Sequence, residues 1–291
     1  MPALVAGGAD LTGNTGTNIA AEPLTPANPG GRKLYFGVRE HAMGAVANGM
    51  AAHGGVLPAV GTFLVFSDYM RPAVRLAALS GLKVAFVWSH DSVGVGEDGP
   101  THQPIEQVAA LRAVPGLVVI RPADANETTQ AWQVVVERDG PTALILTRQS
   151  VPVLAGTERP GQVARGAYTL IDAPDPAVVL AGTGSEVQCC VGAAAVLAAE
   201  GVATRVVSMP SWELFEEQPA RYREEILGGT ATAGRVPVLA VEAGTSFGWE
   251  RYADAVVGID RFGASAPGGT LMEKFGFTAA SVAAAARKLL S

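Results

Sequence analysis

The chain predicts an α/β protein with two open, mostly parallel sheets, and three observations carry that expectation. Its 291 residues exceed one ordinary compact domain and suit two of roughly 100 to 200 residues each. Short β-rich runs at 34–38, 56–60, 83–88, 117–120 and 143–147 alternate with helical spacing at segments such as 41–53 and 104–114. The runs are apolar throughout instead of alternating, as strands buried on both faces require.

Taken in order, these runs place a first domain over 1–150. The stretch 151–176 loses the periodicity and gains Pro and Gly, as a connection between domains would. A second α/β unit is expected over 177–291, with strands at 177–181, 204–208, 237–241 and 256–259. The helix between its first two strands, 186–200, is built from small apolar residues and should be packed on both sides. At the front, 2–6 already reads as a strand with no helix before it, so the first domain is expected to start late.

Composition removes several classes of function. Hydrophobic residues make up 48% and charged residues 16%, which excludes a disordered chain or a coiled coil. The formal net charge is -6 and no run of Lys and Arg interrupts it, so nucleic acid is not an expected partner. No stretch approaches about 20 apolar residues, and no membrane association is expected; the reading is a cytoplasmic soluble protein. Cys189 and Cys190 are adjacent in a helical pattern, where a bridge would be strained, so they read as buried reduced thiols. His41, His53, His90 and His102 all fall in the first domain, and chemistry is expected there.

In such sheets ligands bind beyond the carboxyl ends of the strands, so loops leaving strands are the candidates. The loop 94–103, GVGEDGPTHQ, packs two acids, three glycines and a histidine into ten positions. From it Asp98 and His102 could reach substrate hydroxyls, and His102 could transfer protons near neutral pH. In GVREH, Glu40 stands where a strand turns into a helix; a favourable helix dipole explains an acid there as readily as catalysis does. Phe63, Phe66 and Tyr69 recur every third position, which suits a flat-ring pocket but by spacing alone suits core better. GTGSE at 182–186 lacks the third glycine of a dinucleotide fingerprint and reads as a tight turn. Arg148, after the run ALILT, could bind an anion or pair with a surface acid.

Together the strings GGADL, YFGVREHAMG, GTFLVFSDYMRPAVRLAAL, SHDSVGVGEDGPTHQP, ILTRQ, VVSMPSWELFEEQ, VEAGTSFGWERY and IDRFGASAPG closely resemble transketolase, a thiamine diphosphate enzyme of the pentose phosphate pathway. The resemblance implies a pyrimidine-binding domain followed by the transketolase C-terminal domain. It implies that Glu40 hydrogen-bonds the aminopyrimidine and promotes its imino tautomer, and that Phe63, Phe66 and Tyr69 enclose that ring. Asp10 matches an aspartate of the cofactor and substrate pocket. His90 and Arg148 match residues that hold a sugar phosphate, while Asp98 and His102 match those that read its hydroxyls. Asn14 stands where the family commonly has serine after proline, keeping a phosphate contact in altered geometry.

The resemblance also implies what is to come from elsewhere. Transketolases hold the diphosphate and its Mg or Ca ion on an N-terminal domain with a GDG signature; GDG does not occur here, the nearest strings being EDG at 97–99 and RDG at 138–140. The family's opening helix of the pyrimidine domain is likewise not matched. The expectation is a transketolase part, active only with a separate diphosphate-binding subunit and self-associating through the pyrimidine domain. The alternatives are another split thiamine enzyme, such as a dehydrogenase β-subunit or a deoxyxylulose phosphate synthase-like protein, or a non-catalytic remnant.

Overall fold

The computed structural model describes residues 1, 3–228 and 235–291. The first half runs β1 (Leu4–Gly8), β2 (Lys33–Tyr35), α1 (Glu40–His53), β3 (Leu57–Phe63), α2 (Ser67–Leu79), β4 (Ala85–Ser89), α3 (Gln107–Arg112), β5 (Val118–Ile120), α4 (Ala125–Glu137) and β6 (Thr142–Ile145). The second runs β7 (Tyr168–Ile171), β8 (Val178–Gly182), α5 (Val187–Ala199), β9 (Thr204–Ser208), α6 (Trp212–Glu216), α7 (Ala220–Leu227), β10 (Val238–Val241), β11 (Ala255–Val257), α8 (Gly268–Lys274) and α9 (Ala279–Leu290).

Among the described residues, six strands form a parallel sheet in the order β2-β1-β3-β4-β6-β5. Its central strands β3, β4 and β6 are buried at every position. Met43, Met70, Val74 and Leu111 of α1, α2 and α3 pack on one face with Phe86 and Trp88. Ala131, Val134 and Val135 of α4 pack on the other with Val87 and Leu144. The continuous apolar runs reflect this double cover. The strand expected over 2–6 lies at Leu4–Gly8, second in the sheet; Pro2 lies outside the described residues. The run read at 34–38 pairs only over Lys33–Tyr35, because Gly37 takes a left-handed φ of 60° and turns the chain into α1.

The second sheet has the order β11-β10-β8-β9-β7, parallel except for β7 against β9. Segment 151–176, expected to be a connection without regular structure, thus supplies an edge strand at Tyr168–Ile171. Only Tyr168 of its four residues is buried, and its pairing carries a register irregularity, so no clean two-residue period was there to be read. The helix expected over 186–200 is α5, whose Cys190, Ala193 and Leu197 sit in the core with Val282, Ala283 and Ala286 of α9. Cys189 and Cys190 are buried and unbridged. Among the described residues, no helix is long and apolar enough to cross a membrane.

Candidate active site

Strand order arranges the candidate residues in a row. Glu40 opens α1 just after β2, Asp10 follows β1, Phe63 ends β3, His90 follows β4 and Arg148 follows β6; in the sheet these strands stand in that same order, β2-β1-β3-β4-β6. Neighbouring strands are about 4.8 Å apart, so the row spans roughly 19 Å. That is long enough to seat an aromatic ring at the Glu40 end and an anion at the Arg148 end. Two of the five positions, Asp10 (φ 64°) and His90 (φ 63°), hold left-handed backbone. Strain of this kind in non-glycine residues persists where the surroundings enforce it, commonly at functional sites.

A cavity of about 850 Å³ occupies the Glu40 end, lined among others by Asp10, Glu40, Phe63, Phe66, Tyr69 and His102. Phe63 and Phe66 stack at 6.1 Å and 10°, Phe66 and Tyr69 at 6.0 Å and 26°. Phe63 and Phe66 are buried or half-buried, whereas Tyr69 is 65% exposed, so the third ring is a rim and not core. His102 meets Phe66 edge-on at 5.4 Å and its Nδ1 lies 2.9 Å from Thr101 Oγ1. Glu40 is 9% exposed and has no hydrogen-bond or ion-pair partner among the described residues. No side chain caps α1, because the N-cap residue Arg39 has no acceptor to offer; its Nη1 donates to the Phe36 carbonyl at 2.9 Å. A carboxylate with no protein partner facing a largely apolar cavity keeps its acceptor capacity for a ligand.

The other end gathers around His90, whose ring stacks on Phe63 at 3.5 Å and 21°. Burial first, then Arg148, hold its imidazole below the ordinary histidine range, opposed by Asp98 and Asp91, with His102 adding to the lowering. Asp98, His102 and Arg148 are therefore all within electrostatic reach of it, although Asp98 and Arg148 are exposed and do not line the cavity. Asn14 joins through its backbone: Ser89 Oγ donates to its carbonyl at 3.2 Å, and its side chain is exposed. Among the described residues, no group of three or more His, Cys, Asp or Glu is placed to hold a metal ion.

Two family models cover most of the chain: transketolase, pyrimidine binding domain, over residues 1–153, and transketolase-like TK C-terminal domain, over residues 166–278. The chain belongs to the transketolase family. It is 52% identical over 299 residues to the transketolase of Geobacillus stearothermophilus, covering all of this chain and 44% of that protein. The transketolase structure from Leishmania mexicana superposes with a TM-score of 0.94 at 48% identity, covering 100% of this chain and 43% of that one. The chain thus spans less than half the length of these transketolases. A split gene transketolase, described as an inactive beta4 tetramer, matches with a TM-score of 0.79 at 28% identity, over 99% of this chain and 92% of its own.

Within this transketolase framework lies a second charged cluster that the sequence did not announce. Arg121, after β5, donates Nε to Asp91 Oδ2 at 3.0 Å and Nη1 to the Thr183 carbonyl at 3.2 Å, and it pairs with Glu186. Arg112 forks onto Glu242 at 2.7 and 2.9 Å and lies 3.9 Å over the Trp212 ring. Trp249 Nε1 adds a third donor to Glu242 at 2.7 Å. Residues of the first sheet (Asp91, Arg112, Arg121) are thereby tied to residues of the second (Glu186, Glu242, Trp249). The GTGSE turn belongs to this junction: Gly184 has φ 58°, and a Cβ there would come 2.7 Å from Arg121 Cζ. Its glycine admits an arginine, and no dinucleotide reading is needed. Arg39 and His41 also line the cavity without having been assigned; their place in GVREH beside Glu40 was the available signal.

Proposed function

We propose that this chain supplies the pyrimidine-binding side of a thiamine diphosphate-dependent transketolase, which moves a two-carbon ketol unit from a ketose phosphate to an aldose phosphate. The observation that carries this reading is the unpaired, nearly buried Glu40 facing the Phe63, Phe66 and Tyr69 rings. When bound, the cofactor supplies the carbon nucleophile of ketol transfer. Glu40 offers a carboxylate in a largely apolar cavity, where a bound ring would displace water and strengthen a proton shared with its ring nitrogen. The three rings sandwich a flat heterocycle, and Asp10 borders it. Asp98 and His102 read hydroxyls near the reacting carbons, His102 carrying a proton between them. Arg148, His90 and Asn14 form the phosphate end, where an exposed guanidinium suits a dianion.

The cofactor's diphosphate and its Mg or Ca ion belong, in this reading, to a diphosphate-binding domain on a partner chain or segment, since the sequence contains no GDG string. The split gene relative described as an inactive beta4 tetramer supports the need for that partner. Self-association through the first domain is supported by the exposed Val46, Leu76 and Leu79 on α1 and α2. Assay of the chain with xylulose 5-phosphate and ribose 5-phosphate should give no turnover, and a matching diphosphate-binding domain should restore it. Micromolar binding of thiamine diphosphate to the chain alone, by calorimetry with magnesium present, would overturn the division of labour.

A further inference from the structure

His90 Nδ1 lies 2.9 Å from Ser89 Oγ, and Ser89 Oγ lies 3.2 Å from the Asn14 carbonyl oxygen. A carbonyl oxygen only accepts, and a serine hydroxyl has one proton. Both contacts are hydrogen bonds only if Ser89 donates to Asn14 and His90 Nδ1–H donates to Ser89. The opposite assignment, with Ser89 donating to a bare Nδ1, forfeits the carbonyl bond. Stacking on Phe63 at 3.5 Å and the left-handed backbone at His90 hold the ring in this orientation. Its Nε2 has no hydrogen-bond partner among the described residues.

A neutral imidazole protonated at Nδ1 presents a lone pair at Nε2. That lone pair accepts from a hydroxyl and repels an unprotonated phosphate oxygen. We infer that Ser89 is a positioning residue that fixes His90 as the Nδ1–H tautomer, so that a phosphate dianion is held at His90 only together with one proton taken up from solvent. The proton sits between Nε2 and a phosphate oxygen, and no bond other than hydrogen bonds forms. An uncharged, hydroxyl-bearing ligand donates to Nε2 directly and takes up no proton. The charged groups that face His90 act on the same equilibrium: Arg148 beyond β6 disfavours the imidazolium and His102 does so weakly, while Asp98 and Asp91 favour it. With the free imidazole held neutral by burial and Arg148, phosphate affinity should fall about tenfold for each pH unit above neutrality.

This inference rests on reading His90 and Arg148 as the phosphate end, and the test separates the two. Long-range proton–nitrogen spectra of the ¹⁵N-labelled chain, with His90 assigned through His90→Gln, report its tautomer directly. The expected result is a protonated Nδ1 and a bare Nε2 in the wild type, shifting toward Nε2–H in Ser89→Ala. Inorganic phosphate, titrated at pH 6.5, 7.5 and 8.5, should convert His90 to the imidazolium, with affinity falling about tenfold per unit over the upper two. An Nε2–H tautomer in the wild type, or phosphate binding of equal affinity at all three values, overturns the inference and leaves the phosphate end standing. Phosphate that leaves the His90 nitrogens unmoved at every pH overturns the phosphate end itself, and the proton uptake with it.

Discussion

Arg121 and Arg148 each follow a short apolar strand of the first sheet, yet Arg121 is 1% exposed while Arg148 is open to solvent. Around Arg121 the protein pairs its own charges: two guanidinium groups, Arg112 and Arg121, meet three carboxylates, Asp91, Glu186 and Glu242, with Asp91 Oδ1 and Arg112 Nε left buried without a hydrogen-bond partner. Burial raises Glu186 even against Arg121; at Glu242 burial works the same way, but Arg112, Arg121 and Trp249 outweigh it and hold that carboxyl low. Around Glu40 and Arg148 the reverse holds, with a carboxylate unpaired and a guanidinium exposed. One cluster ties the two halves of the chain together; the other has no ion-pair partner for Glu40 among the described residues. Pairing within the protein, not charge content, separates the two clusters.

The largest effect should come from breaking the paired cluster around Arg121. Arg121→Met leaves Asp91 and Glu186 buried without their partner, and losses on the order of 3 to 5 kcal/mol are typical of that change. Denaturant unfolding should show it, and adding Glu186→Gln should recover part; if Arg121→Met unfolds at the wild-type midpoint, the junction does not hold the sheets. The cluster around Glu40 should respond in chemistry and not in stability. In the reconstituted enzyme Glu40→Gln should lower turnover by about 100-fold or more with an unchanged melting curve, because no protein partner is lost. Near-full activity would return Glu40 to a helix-dipole role.

A smaller loss should follow from Arg148→Ala, which removes one charge-assisted contact of roughly 1.5 to 3 kcal/mol. It should raise KM for a phosphorylated donor by about 10- to 100-fold and spare hydroxypyruvate, which has no phosphate; equal losses on both donors would show that Arg148 does not read phosphate. Glu127 sharpens the buried side. Burial raises its carboxyl despite hydrogen bonds from Ser208, Tyr168 and the Ala123 amide. A carboxyl harder to ionise in the folded chain contributes stability that is complete below its ordinary value of 4.5 and lost as pH rises through the folded value. Urea midpoints from pH 5 to 8 should therefore decline, and Glu127→Gln should flatten that decline. The least effect belongs to Arg287→Ala, whose pair with Glu200 lies at the solvent-exposed surface; thermal melting should not resolve it.

Much of this could be read from the sequence because it is carried by local pattern. Buried parallel strands write apolar runs, and loops at their carboxyl ends write polar strings, so the first sheet and the candidate residues Glu40, Asp98 and His102 were visible along the chain. The ring spacing of Phe63, Phe66 and Tyr69 was visible too, but whether they made core or pocket depended on which ring faced solvent. What stayed hidden has a common cause. Strand β7 carries one buried residue in four, too few for a period. Arg121 pairs with Glu186, 65 positions away, and nothing near IRPADANE distinguishes it from the exposed arginine of ILTRQ. The sequence by itself determined the elements, their alternation and the chemistry available at strand ends. Only the tertiary structure decided strand order, and with it the row from Glu40 to Arg148, which charges are spent on each other, and which groups stand beside the His90 ring. These depend on contacts between residues far apart in the chain, whose energies no local window contains.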